Sequence, residues 1–405
     1  MAADEVSRSS TRRAIVFLSV AAFAAASTTR VMDAILPQIA QEFQVSIGQV
    51  AFVATAYAFA YGAFQIVFGP LGDRFGKYQV VVCATLGSSV TTLLCAYVGS
   101  LEEIAVARLA SGVMAAAIVP MSIAWVGDVA PSDERQEILA RFLSGQILGL
   151  LAGQVSGGVF GEYLGWRSAF IFIGCVYLLS LAGLIFEMRR NPATRHVPSG
   201  NTMAQTLRNF VGLARRPVVR FVLLMVTVEA FAMFGAFTYV GASLRYRFSF
   251  DFATVGIFLA TYCIGGLIYV WRSRRLIAFL GIRRLCFLGT VLVGFAYIAI
   301  ALATAPWVCL LAIPVMGLGF YMLHNTLQTF STEMAPDLRG SAVAIFATCY
   351  FLSQAVGVYL AGQVIDAYGT TPVFVAAAMI LMVQGILLLN YIPAQLGRAA
   401  RKTPA

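Results

Sequence analysis

Five ionisable residues, Arg30, Asp33, Arg108, Glu229 and His324, stand inside stretches that are otherwise apolar. Charged groups at such positions rarely face lipid; they pair with one another or line a path. Arg30 and Asp33 are three residues apart and so share one helical face. A carboxyl group held among apolar helices can exchange protons near neutral pH, and histidine does so unaided. The chemistry open to this set is proton uptake and release, or permanent ion pairing. Asp33 has two candidate partners, Arg108 and Arg30. If protonation of Asp33 breaks the pair, the pair is a switch; if not, it is structural. Glu229 is read as a substrate or proton site against a satisfied interhelical hydrogen bond, and His324 chiefly as a buried interhelical bond.

The elements that carry these residues follow from composition. The chain has 405 residues, of which 60% are hydrophobic and only 11% charged, with mean hydropathy +0.83. Soluble domains carry about 25% charged residues, so a soluble enzyme of this length is excluded. The seven cysteines are scattered singly, with no CxxC and no Cys/His cluster at metal-ligand spacing, which argues against zinc and structural disulfides.

A bilayer crossing needs about 20 mostly apolar residues. Twelve stretches qualify, at 14–36, 47–71, 78–99, 103–126, 139–161, 168–187, 219–243, 252–271, 284–304, 307–330, 340–362 and 372–391. They are numbered spans 1 to 12 below. The division that follows is a tail at 1–13, a six-helix bundle at 14–187, a linker at 188–218, a second bundle at 219–391 and a tail at 392–405. In the linker, Met203, Leu207, Phe210, Val211 and Ala214 share a helical face, as an interfacial helix would. Arg12-Arg13 followed by an apolar run and Ala24-Ala25-Ala26 also fits a cleaved leader, but cleavage would leave eleven spans and break the six-plus-six division.

The net charge is +10. With the N-terminus inside, 23 of the 28 basic residues fall on the inner side and only Arg167, Arg245 and Arg247 on the outer side. That asymmetry sets both termini in the cytoplasm, and it makes the charge an orientation signal rather than a nucleic-acid footprint. Depth then relates two spans: Asp33 and Arg108 each sit a few residues below an outer end, within about a turn of one level. A shift of 205 residues pairs Phe43 with Phe248, Tyr57 with Tyr262, Gly76 with Gly281, Gly112 with Gly317, Pro131 with Pro336 and Gly157 with Gly362. Such a duplication predicts two pseudo-symmetric bundles with a site between them.

Between spans 2 and 3 the chain reads Gly69-Pro70-Leu71-Gly72-Asp73-Arg74-Phe75-Gly76-Lys77-Tyr78. Here it resembles the major facilitator superfamily, whose signature G-x-L-x-D-R-x-G-[RK]-[RK] it follows except at Tyr78. The stretch is not a phosphate-binding P-loop, which would need Gly at Leu71 and Ser or Thr at Tyr78. The resemblance implies an inner-face gating role for Gly69, Leu71, Asp73, Arg74, Gly76 and Lys77. Arg108-x-x-x-Gly112 resembles the family's arginine motif, and Asp33-Ala34-Ile35-Leu36-Pro37 that of twelve-span bacterial drug/proton antiporters. Gly149, Gly153, Gln154, Gly157 and Gly158 follow the antiporter motif of span 5, with Gln154 in place of its proline.

What the resemblance implies is an all-α, twelve-span transporter of two six-helix bundles, working by alternating access in a bacterial inner membrane. Spans 1, 4, 7 and 10 would line the cavity. That makes Met114, Met121, Trp125, Met233, Phe234, Tyr239, Tyr321 and Asn325 candidate substrate contacts, with Tyr57, Tyr61 and Tyr262 reaching in from spans 2 and 8. The expected function is export of a small apolar or amphipathic compound by proton antiport, as a monomer and without a cofactor or metal. An uptake symporter or facilitator for a polar metabolite is the alternative. A non-transporting receptor on the same fold would need a signalling domain, for which 392–405 is short.

Overall fold

The computed structural model describes residues 2–130, 134–194, 203–393 and 396, excluding the side chains of residues 2–10, 136, 140 and 203. The side chains of Arg8 and Met203, and Pro131, Arg195, Arg398, Arg401 and Lys402, therefore lie outside the described residues. Among the described residues the chain is helical, without strands.

Span 1 is α1 (Ala2–Phe43), span 2 is α2 (Ile47–Phe75) and span 3 is α3 (Lys77–Leu94). Span 4 is broken into α4 (Leu101–Ala115) and α5 (Ile118–Val129); spans 5 and 6 are α6 (Arg135–Leu164) and α7 (Trp166–Arg190). The linker holds α8 (Met203–Ala214), and span 7 is broken into α9 (Pro217–Phe237) and α10 (Val240–Phe248). Next come α11 (Phe252–Ala260), α12 (Tyr262–Leu302), α13 (Pro306–Glu333), α14 (Arg339–Tyr368) and α15 (Thr370–Tyr391). The near-continuous stretch Phe252–Leu302 has 51 residues, roughly 75 Å of helix against a hydrocarbon core of about 30 Å. It turns back at Gly281, whose φ of +69° lies in the left-handed region that glycine enters without strain. The stretch thus supplies spans 8 and 9, and α13, α14 and α15 are spans 10, 11 and 12.

The backbone repeats as the sequence predicts. Gln44 and Ser249 share φ +54°, and Gly76 and Gly281 both have positive φ where spans 2–3 and 8–9 turn. Ser46 caps α2 through the Gln49 amide, and Asp251 caps α11 through the Thr254 amide. Gly112 lies against the Tyr57 carbonyl and Gly317 against that of Tyr262, so a methyl at either would collide. The shift slips to 204 in spans 5 and 11. There the counterpart of Gly362 is Gly158, because both face a helix of the opposite bundle, whereas Gly157 faces Val31 within its own.

Buried apolar side chains gather into one large cluster within spans 1–6, from Ala14 to Leu184, and two within spans 7–12. Ala34 and Ala51 join a C-terminal cluster and mark where the bundles touch. Large apolar side chains such as Phe59, Leu179, Phe295 and Leu311 are exposed around the outside, the kind of contiguous apolar surface that lipid covers. The linker helix α8 packs on the C-terminal bundle with part of its apolar face. Phe210 and Leu213 face the C-terminal bundle, while Leu207 and Val211, on the predicted face, are exposed.

Candidate functional site

The motif glycines of span 5 bring it against span 1. Methyl groups at Gly149, Gly153 and Gly157 would collide with the carbonyls of Phe23, Ser27 and Val31, so the two backbones touch directly, as small residues allow. The Ser27 hydroxyl donates to the Gly149 carbonyl at 2.9 Å across this seam. The close approach sets Gln154 beside Asp33: its Nε2 donates to Asp33 Oδ2 at 3.1 Å. Arg30 Nη1 lies 3.5 Å from the same oxygen. All three side chains are buried.

Of the two partners considered for Asp33, Arg30 is the one within ion-pair distance. Arg108 donates to the Thr28 carbonyl at 3.0 Å and lies 4.1 Å from the Tyr57 ring centre. The sequence put Arg108 at the right depth, but depth does not fix azimuth, and the Tyr57 ring takes up the guanidinium. Arg30 reaches across to the other bundle, with its guanidinium carbon 3.8 Å from the centre of the Phe234 ring. A guanidinium over an aromatic face is attracted by the ring quadrupole.

Glu229 and His324 come together between spans 7 and 10, with His324 Nδ1 3.1 Å from Glu229 Oε2. Glu229 Oε1 is buried without a hydrogen-bond partner. His324 stacks on Phe320 at 4.9 Å and lies 4.9 Å from Tyr350. Tyr61 packs on Phe351 across the bundle interface, their centres 4.2 Å apart. Tyr262 and Tyr321 are neighbours within the C-terminal bundle, and Asn325 is half-buried.

Several expected cavity residues make packing contacts within their own bundle. Met114 sits against Gly87 of span 3 and Met121 against Gly72. The Trp125 indole donates to the Ala193 carbonyl and packs on Tyr78, well away from the bundle interface. Tyr239 donates to the Val358 carbonyl at 2.7 Å, and the Met233 carbonyl accepts from Tyr297. The helical breaks fall at Ala116–Ala117 in span 4 and at Thr238–Tyr239 in span 7. The rings of Phe320, Tyr350 and Phe351 were not anticipated, since a ring in an apolar span carries no distinguishing pattern.

At the basic end, Lys77 Nζ lies 2.5 Å from Asp128 Oδ2 and Gly76 turns with φ +100°. Gly69 has open space above it, Leu71 and Asp73 are half-buried and Arg74 is exposed. Tyr78, which departs from the signature, is buried and donates to the Leu184 carbonyl at 3.3 Å. Among the described residues, no group of three metal-ligating side chains could hold a metal ion.

The Major Facilitator Superfamily model matches residues 18–358. An MFS-type transporter of Bacillus subtilis (strain 168), YwfA, itself uncharacterized, is 24% identical over 380 residues, covering 91% of this chain and 90% of its own. A probable sugar efflux transporter of Helicobacter pylori (strain P12) is 26% identical over 379 residues, covering 91% and 93%. Among solved structures, a D-xylose-proton symporter superposes with a TM-score of 0.77 at 13% identity, covering 96% of this chain and 99% of its own. The nucleoside transporter NupG does so with a TM-score of 0.75 at 12% identity, covering 93% and 99%. Identities this low speak for the fold alone, and the fold is two pseudo-symmetric six-helix bundles. The chain belongs to the Major Facilitator Superfamily and is a multi-pass membrane transporter, not an enzyme.

Proposed function

We propose that this transporter exports a small apolar or amphipathic compound in exchange for protons, with Asp33 as the proton-carrying group. The observation that carries the reading is the buried Arg30–Asp33–Gln154 cluster with Arg30 lying on Phe234 of the opposite bundle. When Asp33 takes a proton, its charge is lost and with it the ion pair to Arg30. The guanidinium is then free to shift on Phe234, so one proton alters a contact between the bundles. That is the differential interaction an alternating-access equilibrium requires. The excess of basic residues at one end orients that end, and both termini, toward the cytoplasm of a bacterial cell. Relatives named as efflux transporters support export as the direction. The gating motif from Gly69 to Lys77 lies at the cytoplasmic end in this orientation, and the protein works as a monomer.

The test uses proteoliposomes loaded with the pH dye pyranine, with ethidium and a hexose as separate probes. Wild-type protein is expected to move protons when a transported probe is added, and Asp33→Asn to exchange probe across the membrane without moving protons. Full proton movement by Asp33→Asn would reject the assignment. A second reading, transport of a hydroxylated polar metabolite, is favoured by the Glu229–His324 pair set among Phe320 and Tyr350. Proton movement with the hexose and not with ethidium would select it.

A further inference from the structure

At the end opposite the basic clusters, two carboxylates join the bundles in the same manner. Asp366, near the end of span 11, accepts from the Gly48 amide at 2.9 Å and from the Ser46 hydroxyl at 2.5 Å. Both donors belong to the first turn of span 2. Glu162, near the end of span 5, accepts from the Phe252 amide at 2.8 Å, the first residue of α11 in span 8. Each carboxylate therefore satisfies an orphan donor of a helix start in the other bundle and sits at the positive end of that helix.

The surroundings repeat as well. One turn before each carboxylate is a glycine that lets the helices meet: Gly158 against Gly256, and Gly362 against Gly48. A methyl at either would collide with the facing backbone. Glu162 and Asp366 are 204 residues apart, the shift that relates spans 5 and 11 elsewhere. Ser46 and Asp251 already cap their own helices through the amides of Gln49 and Thr254. What Glu162 and Asp366 add is thus not local capping but a tie across the interface. An incidental surface contact has no reason to recur at equivalent places in both halves.

We propose that Glu162 and Asp366 form a paired latch that holds this end of the transporter shut, and that opening this end requires both to release. The chemistry suits a latch that must open. The donors are backbone amides and a hydroxyl at helix starts, and water can replace the carboxylate on each of them, so release strands no buried charge. Both carboxylates are exposed, so water and salt reach them.

The test reads the distance between spin labels at Tyr163→Cys and Tyr368→Cys, which lie on opposite bundles beside the latches, with the exposed Cys83 and Cys175 changed to serine. Glu162→Gln and Asp366→Asn remove each charge while nearly keeping shape. A helix-end charge of ordinary strength predicts a roughly two- to fivefold rise in the open-to-closed ratio for each variant. The double variant should show roughly the product, since the two contacts share no partner. A double variant that melts like the wild type with an unchanged distance distribution would overturn the proposal. Should the variants not fold, wild-type protein supplies the second measurement. Raising salt from about 50 to about 500 mM screens exposed charges and should widen its open fraction; no response to salt also overturns the latch.

Discussion

Gln154 of span 5 donates its side-chain amide to Asp33 of span 1 over 3.1 Å, at the position where the antiporter motif that span 5 resembles has proline. Proline has no side-chain donor, so this departure from the motif builds a hydrogen bond onto the carboxylate. A bond to a charged group contributes about 1.5–3 kcal/mol. Gln154→Leu is expected to lower the melting temperature by several degrees and to cost at least about tenfold in proton-driven transport, against a smaller loss of probe exchange. Equal loss of both would make the residue structural only.

Arg30 on Phe234 joins the buried Arg30–Asp33–Gln154 cluster to the other bundle, at 3.8 Å. A desolvated stack of this kind contributes about 0.5–2 kcal/mol. Arg30→Lys keeps the charge and loses the planar face, while Phe234→Leu keeps apolar volume and loses the quadrupole. The two substitutions are expected to be non-additive in thermal unfolding, by about 0.5 kcal/mol or more in a double-mutant cycle. Strict additivity would mean that the two side chains do not act on one another.

How far this arrangement was legible in the sequence differs from link to link. Span count and the two-bundle plan follow from apolar length and from a repeat that the backbone reproduces at Gln44 and Ser249 and at Gly76 and Gly281. The glycines of span 5 announced a close approach, and the approach is to the backbone of span 1. Partner choice was less accessible. Depth alone allowed Asp33 to meet Arg108 as readily as Arg30, because rise per residue fixes level and leaves rotation open. Trp125 and Met114 were placed toward the cavity by span membership, which leaves rotation about the helix axis open; in the structure they pack on Tyr78 and Gly87 of span 3. Glu162 and Asp366 escaped notice because the repeat shifts by one residue in their spans, so a search at a fixed 205 does not align them.

Glu229 and His324 offer a test that separates a proton site from a hydrogen bond. Glu229→Gln preserves an acceptor for His324 Nδ1 and removes the ionisable group, whereas Glu229→Leu leaves the ring nitrogen without its 3.1 Å partner. An abandoned buried partner costs about 1–3 kcal/mol. Glu229→Leu should therefore melt several degrees below wild type and Glu229→Gln close to it. If Glu229→Gln also transports with an unaltered pH profile, the carboxylate carries no proton in the cycle and the pair only joins spans 7 and 10.

The seam between spans 1 and 5 sets Gln154 beside Asp33, so widening it should disturb more than local packing. At Gly153 a side chain would enter the space of the Ser27 carbonyl and Cα, neither of which can move without shifting span 1. Overpacking of this kind costs about 1–3 kcal/mol, and the displaced helix would carry Asp33 out of reach of Gln154. Gly153→Val is expected to lower the melting temperature and to reduce proton-driven transport, whereas Gly340→Ala, which meets open space, should leave both unchanged. A Gly153→Val protein that melts lower yet couples protons as the wild type does would separate the seam from the mechanism and leave the Gln154 bond to be maintained by other contacts.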